Sequence, residues 1–172
     1  HKTGTDRIHE ALKKSNIKDV DFIMNLQGDE PAIDIQDIVR LNDKMLQNPS
    51  KIGTLASIIK ENKNLKNENI VKVITENALG ENNFPKGISF LRMSERIDNI
   101  YHHIGVYCYS KDSLEKFVQL SQSKNEIENR LEQLRALDNN IDINVSLAKS
   151  SPIGVDTEED YLALKKIMEY KN

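Results

Sequence analysis

A layered α/β sheet is predicted for this chain of 172 residues, and three observations predict it. Short apolar runs that stop at turn residues recur along the chain, as strands buried in a sheet do. Segments with helical spacing of apolar residues lie between them. No repeat, low-complexity tract or long Gly/Ser/Pro linker divides the chain, so the alternating elements read as one domain over residues 1–172. The composition agrees: 38% hydrophobic and 30% charged residues suit a globular protein and are too apolar for a disordered one.

Each element has its own signal. Ile8, Ala11 and Leu12 share a face of a helix starting near Asp6 and ending around Ser15-Asn16. Phe22-Ile23-Met24-Asn25-Leu26 is an apolar run that stops at Gly28, a strand buried on both faces in the manner of parallel sheets. Ile35, Ile38, Val39, Leu41, Met45 and Leu46 mark a helix closed by Asn48-Pro49. Residues 54–59, 70–75, 88–92 and 104–109 are further strands, and the Asn/Lys-rich stretch 61–69 is a loop. Lys111-Asp112-Ser113 opens a helix carrying Leu114, Phe117, Val118 and Leu120. Ile127, Leu131, Leu134 and Leu137 give residues 126–137 the spacing of another. Residues 141–145 alternate like a strand with one wet face, and 156–168 read as a last helix.

Charge narrows the function. Lys+Arg 24 against Asp+Glu 27 leaves a net charge of -3, with no basic excess for a nucleic-acid surface. No apolar run approaches the roughly 20 residues that cross a bilayer. The one cysteine, Cys108, rules out an internal disulfide and fits a reducing compartment, so a cytoplasmic protein is expected. The first residue is His1, not Met, with no charged-then-apolar leader after it, which reads as a piece of a longer protein.

In layered sheets, ligands sit beyond the C-terminal ends of strands. Asn25-Leu26-Gln27-Gly28-Asp29-Glu30-Pro31 lies at one such end. Gly28 lets the backbone turn or a ligand approach. Asp29 and Glu30 point different ways, and a strand-end carboxylate suits Mg²⁺, which takes one or two carboxylates with phosphate oxygens and water. The same string also reads as an acidic turn capping the next helix. Gly154-Val155-Asp156-Thr157-Glu158-Glu159-Asp160 enters the last helix, with Asp156 as N-cap and Glu159 in the capping-box position. A metal role for Asp156 requires that it converge with Asp29. At the start, Thr3-Gly4-Thr5 forms a small-residue loop whose backbone N–H groups face a base edge or an anion, or else an ordinary helix start with Thr5 as cap. Arg7 reads as a surface ion pair.

Tyr101 to Tyr109 carries rings unusual for a core strand. His103, Gly105 and Tyr107 share a face. They read as a bare stripe for a sugar between two polar rings, or as core rings with their tips bonded to backbone. Zinc on His102 and His103 is not expected, because adjacent strand residues point to opposite faces. Cys108 reads as a small buried hydrophobe. Glu126, Glu132, Gln133 and Arg135 read mostly as a solvated helix face, with Gln133 just beyond the apolar stripe.

Five of these strings together resemble one family. His1-Lys2-Thr3-Gly4-Thr5-Asp6-Arg7, Asn25 to Pro31, His103-Ile104-Gly105-Val106-Tyr107, Leu131-Glu132-Gln133-Leu134-Arg135-Ala136-Leu137 and Gly154 to Asp160 occur in the order and approximate spacing of the 3-deoxy-manno-octulosonate (KDO) cytidylyltransferases, or CMP-KDO synthetases. The resemblance implies a mixed, mostly parallel sheet flanked by helices, the Rossmann-like nucleotide-diphospho-sugar transferase fold. It implies the reaction of CTP with KDO to give CMP-KDO and diphosphate for lipopolysaccharide, with Mg²⁺ as cofactor and a homodimer whose interface uses the apolar helices after residue 110. Carried over, Asp29 and Asp156 hold Mg²⁺ and are catalytic. Gln27, Arg92, His103, Tyr107, Glu132 and Gln133 line the sugar pocket, and Thr3, Gly4 and Thr5 lie by the cytosine. Alternatives are a synthetase for another acidic 2-keto sugar, sialic-acid-like, or a non-catalytic binding or dimerisation fragment. The chain lacks the family's N-terminal strand and basic triphosphate loop and matches the C-terminal three-quarters of its domain, so little or no transferase activity is expected of this polypeptide alone. Residues 93–99 are shorter than the family's stretch and lack its Ile-Pro, and Asn129 stands where the family often has Glu.

Overall fold

The computed structural model describes residues 1, 3–15, 17, 19–28, 31–151, 154, 155 and 157–169. Among them, β1 (Phe22–Asn25), β2 (Ile52–Ser57), β3 (Lys72–Thr75), β4 (Gly87–Leu91), β5 (Ile100–Ser110) and β6 (Ile143–Leu147) form one sheet. Its order is β4-β3-β5-β2-β6, and β1 also pairs with β5. The helices are α1 (Gly4–Lys14), α2 (Ile35–Gln47), α3 (Lys111–Gln119), α4 (Lys124–Asn129), α5 (Leu134–Asp138) and α6 (Glu158–Glu169).

The sheet is mixed and flanked by helices, as expected, but its ladders are mainly antiparallel. Long β5 runs against β1, β2 and β3, and β4 runs against β3, leaving β2–β6 as the parallel ladder. The parallel pattern survives in direction. β1, β2, β3 and β6 point the same way because three of them oppose β5 and β6 follows β2. The C-terminal ends of β2 and β6 therefore open on one edge of the sheet, and β1 ends part-way along β5, opposite Tyr107.

Alternation along β5 sorts the core. Tyr107 and Tyr109 face a large cluster with Leu114 and Phe117 of α3, Leu134 and Ala136 of α5, and Ile8 and Leu12 of α1. Ile104, Val106 and Cys108 face the opposite layer, built on Leu41 and Met45 of α2. Gly53 is needed there: a Cβ would meet Met45 Sδ at 2.7 Å and Leu41 Cδ1 at 3.0 Å. Cys108 is fully buried, and burial pushes its thiol up to about 11. The β2–β5 register shifts between Thr54 and Leu55, whose partners are Tyr107 and Ile104, so Gly105 and Val106 form a bulge.

Several boundaries differ from the sequence reading. Thr3, not Thr5, caps α1, its Oγ1 accepting from the Asp6 N–H at 3.3 Å. Ala11 is exposed, and so is Leu26, beyond the end of β1. The stretch 61–69 contains a 3-10 turn, Asn62–Lys66. The single helix expected over 126–137 is two helices, broken where Arg130 takes φ 53°. The break turns Leu131 and Leu134 into the core and leaves Ile127 exposed.

Candidate active site

A polar cleft of about 290 Å³ opens where α1 begins and β1 ends. Gly4, Thr5 and Arg7 of α1 form one wall. Asn25, Gln27 and Gly28 form the next, and Tyr107 and Glu132 complete the lining, with Glu132 beside the Thr3 and Thr5 hydroxyls. Thr5, Gly4, Gln27, Tyr107 and Glu132 were expected at a ligand and are brought together. Asn25 and Arg7 were not singled out as ligand groups. Arg7 reads in sequence as a surface charge, yet it lines the cleft. Asn25's signal was a buried polar residue closing an apolar run.

Tyr107 belongs to a row of rings that runs on from the cleft into the core. Phe90, His103, Tyr107, Tyr109 and Phe117 follow one another with centroids 5.1, 5.5, 5.9 and 6.1 Å apart. Tyr109 Oη lies 3.4 Å from Thr5 Oγ1, tying α1 to the sheet. Burial raises the Tyr107 hydroxyl well above its ordinary value, so it stays protonated and neutral. The stripe at Gly105 is not bare. The Gln27 amide lies across it, and a Cβ at Gly105 would touch Gln27 Cδ at 3.4 Å.

His103 belongs to the scaffold of this wall and stands outside its lining. Its Nε2 lies 3.0 Å from Thr54 Oγ1, which itself donates to the Val106 carbonyl at 2.7 Å. With its one proton committed to that carbonyl, Thr54 Oγ1 accepts, and His103 Nε2–H is the donor. Burial, then the neighbouring His102, depresses its imidazole to about 3, so it is neutral. Gln133 is buried at the start of α5, beside Glu132 and outside the lining. Thr3 caps α1 one residue from the lining.

Arg92 has other partners. Its guanidinium donates to the carbonyls of Glu68, Asn129 and Arg130, each at 3.1 Å. Beside it, fully buried Lys72 donates Nζ to the carbonyls of Asn67, at 2.6 Å, and Arg92. Burial lowers the Lys72 ammonium. Arg92 is not among the residues lining the cleft.

Glu126 and Arg135 do not form a solvated face. Each is 3% exposed, and Arg135 donates Nε to Glu126 Oε2 at 2.8 Å and Nη2 to Glu126 Oε1. The guanidinium also sits 4.7 Å over the Phe117 ring. Burial raises the Glu132 carboxyl, opposed in part by the Thr3 and Thr5 hydroxyls and by Arg135.

Asp29, Glu30 and Asp156 lie outside the described residues. Among the described residues, no group of three or more His, Cys, Asp and Glu is placed to hold a metal ion. The segment leading from β6 toward Asp156 is anchored. Buried Asp37 of α2 accepts from the Lys149 and Ser150 N–H groups at 2.9 and 3.0 Å. Ser151 Oγ lies 3.2 Å from both Ser57 Oγ and His102 Nδ1. No helix among the described residues is long and apolar enough to cross a membrane.

Comparison with known proteins agrees with this geometry. Residues 1–143 match the Cytidylyltransferase family. The 3-deoxy-manno-octulosonate cytidylyltransferase of Bartonella tribocorum is 37% identical over 171 residues, 98% of this chain and 70% of the relative. That of Brucella ovis is 38% identical over 163 residues, 93% of this chain and 64% of the relative. A solved CMP:2-keto-3-deoxy-manno-octonic acid synthetase, complexed with CTP, superposes with a TM-score of 0.86 at 28% identity, over 100% of this chain and 70% of that one. The 4-diphosphocytidyl-2C-methyl-D-erythritol synthase of Anaerococcus prevotii, at 12% identity and a TM-score of 0.61 over 97% of this chain and 67% of that one, shares the fold. By its sequence strings, its fold and its relatives, this chain belongs to the cytidylyltransferase family of nucleotidyltransferases, on the 3-deoxy-manno-octulosonate branch.

Proposed function

We propose that this chain forms the sugar- and nucleotide-binding part of a KDO cytidylyltransferase, acting in the reaction CTP + KDO → CMP-KDO + diphosphate. The observation that carries this reading is the cleft, where the first turn of α1 meets Gln27, Tyr107 and Glu132. In the reaction the anomeric hydroxyl oxygen of KDO bonds to the α-phosphorus, the bond to the diphosphate breaks, and the hydroxyl proton is lost. Such chemistry rests on positioning and charge stabilisation.

The residues divide the work. Gly4 and Thr5, with Thr3 holding the helix start, face the cytosine. Gln27, Tyr107 and Glu132 face the sugar hydroxyls, with neutral Tyr107 donating and Glu132 accepting. His103 and Gln133 support this wall, and Arg92 meets only a sugar that reaches past it. Asp29 and Asp156 would hold Mg²⁺, which supplies charge neutralisation at the phosphates when bound. Support comes from β1 and β6, which precede these two residues and run in the same direction in the sheet. A cytoplasmic homodimer completes the proposal, with exposed Ile127, Tyr161 and Leu162 offering apolar surface after residue 110.

Calorimetric titration tests the reading. KDO is expected to bind, and Glu132→Gln to weaken it by roughly 10- to 100-fold, the worth of a hydrogen bond to a charged group. CTP binding should strengthen with Mg²⁺ in the unaltered chain and lose that dependence in Asp29→Asn or Asp156→Asn. Equal affinity for sialic acid would move the assignment to another acidic 2-keto sugar. Absence of binding by both KDO and CTP would remove it.

A further inference from the structure

The buried ion pair beneath the cleft has no part in the reading above, and sequence reasoning assigns both its members to solvent. Its place points to a role. Arg135 commits Nε and Nη2 to Glu126, and the same Nη2 lies 3.8 Å from Glu132 Oε1. Glu132 Oε1 is closed off from solvent and has no hydrogen-bond partner. Glu132 itself lines the cleft. The carboxylate therefore stands between the cleft on one side and a fixed guanidinium behind it. Phe117 lies under the guanidinium at 4.7 Å, and the capping box joining Ser123 to Glu126 fixes the carboxylate that holds Arg135.

We infer that Arg135 is a positioning residue for the cleft. Anchored by Glu126, it holds the Glu132 carboxylate from behind while the Thr3 and Thr5 hydroxyls hold it from α1, and together they set where a donor of the bound sugar meets it. This rests on the reading that Glu132 contacts KDO.

The charged and titratable groups around Glu132 set the sign of the pH effect. They are Arg7 of α1, Tyr107 and Tyr109 of β5, Glu126 of α4 and Arg135 of α5, with Asp6 of α1 acting on Arg135. Burial raises the Glu132 carboxyl, Arg135 lowers it, and Glu126 raises it by less. Replacing both members of the pair removes more lowering than raising. The acidic limb of KDO binding then moves to higher pH.

The test compares three variants with the unaltered chain by KDO titration across pH. Glu132→Gln tests the underlying reading: unchanged affinity overturns that reading. Arg135→Lys keeps the charge and loses the fork, and affinity is expected to fall roughly tenfold, the equivalent of one neutral hydrogen bond. Glu126→Gln with Arg135→Gln removes both charges of the pair together, and urea unfolding checks that the variant folds. Weaker binding with the acidic limb shifted upward is expected. If Glu132→Gln weakens binding while the double variant matches the unaltered chain in affinity and pH limb, the inference falls and the reading stands. One measurement needs no variant. Adding KDO to the unaltered chain should shift the NMR signal of the Arg135 Nε–H. A response at the Glu132 carboxyl carbon without one at Arg135 overturns the inference.

Discussion

Two basic regions border the sugar side of the molecule, and they use their cations differently. At Arg92 and Lys72 the positive groups are spent on backbone carbonyls, those of Asn67, Glu68, Arg92, Asn129 and Arg130. At the cleft, Arg135 is tied to a carboxylate, Glu126, and the group it stands behind, Glu132, has an oxygen without a partner. Carbonyl-saturated cations join chain segments; a cation tied to one buried carboxylate is placed to steady a second, here Glu132 in the cleft wall. Composition cannot tell these two arrangements apart.

Four measurements sharpen or break the contrast. Glu126→Ala strands a guanidinium in the core and is expected to cost about 3–5 kcal/mol, read by urea unfolding. A loss well under 1 kcal/mol would mean that the pair is dispensable to the cleft wall.

The second concerns pH. His103 titrates at about 3 in the fold against an ordinary 6.5, with burial as the main cause. The unfolded chain therefore binds the extra proton first, and stability falls as pH drops from 6.5 toward 3, by at most roughly 1.4 kcal/mol per unit. Urea midpoints at pH 7 and pH 5 should show it, and the His103 ring resonance should not move above about pH 4.

Third, Arg92→Ala removes a donor from three carbonyls and is expected to cost about 1–2 kcal/mol of stability while KDO affinity changes little. If affinity falls as far as in Glu132→Gln, the two regions are one site and the contrast disappears.

The smallest effect is expected at Asp37. Burial pushes its carboxyl up, but the Ser150 hydroxyl, the Lys149 and Ser150 amides and Arg40 bring it below the ordinary 3.8. Its stabilisation is thus present above pH 3.8 and lost as pH falls through the lower folded value. Asp37→Asn should cost about 1 kcal/mol at pH 7 and nothing at the acid end, by urea unfolding at both. It should also speed amide exchange at Lys149 and Ser150.

Local pattern was readable because local pattern causes it. α1, α2 and α3 follow their apolar spacing, and β1 to β6 follow their runs. Gln27, Tyr107 and Glu132 were legible through the resemblance, since they sit in strings whose order is itself distinctive. What escaped was non-local. The break at Arg130 serves Leu131 and Leu134, whose target is a core assembled from distant strands. Glu126 and Arg135 read as solvent-facing charges because nothing in their own helix shows Phe117 beneath them. The bulge that brings Gly105 under Gln27 depends on the register between β2 and β5, which is invisible in either strand alone.

Strand β5 is partner to β1, β2 and β3 at once, and it comes after all three in the chain. On the ribosome, residues 22–25, 52–57 and 72–75 must emerge and wait with open edges until residues 100–110 follow them out. Such distant pairing is slow, and the waiting strands are exposed to self-association. Nascent chains released before Ser110 should therefore aggregate, and the step that ends this danger is the arrival of a single strand.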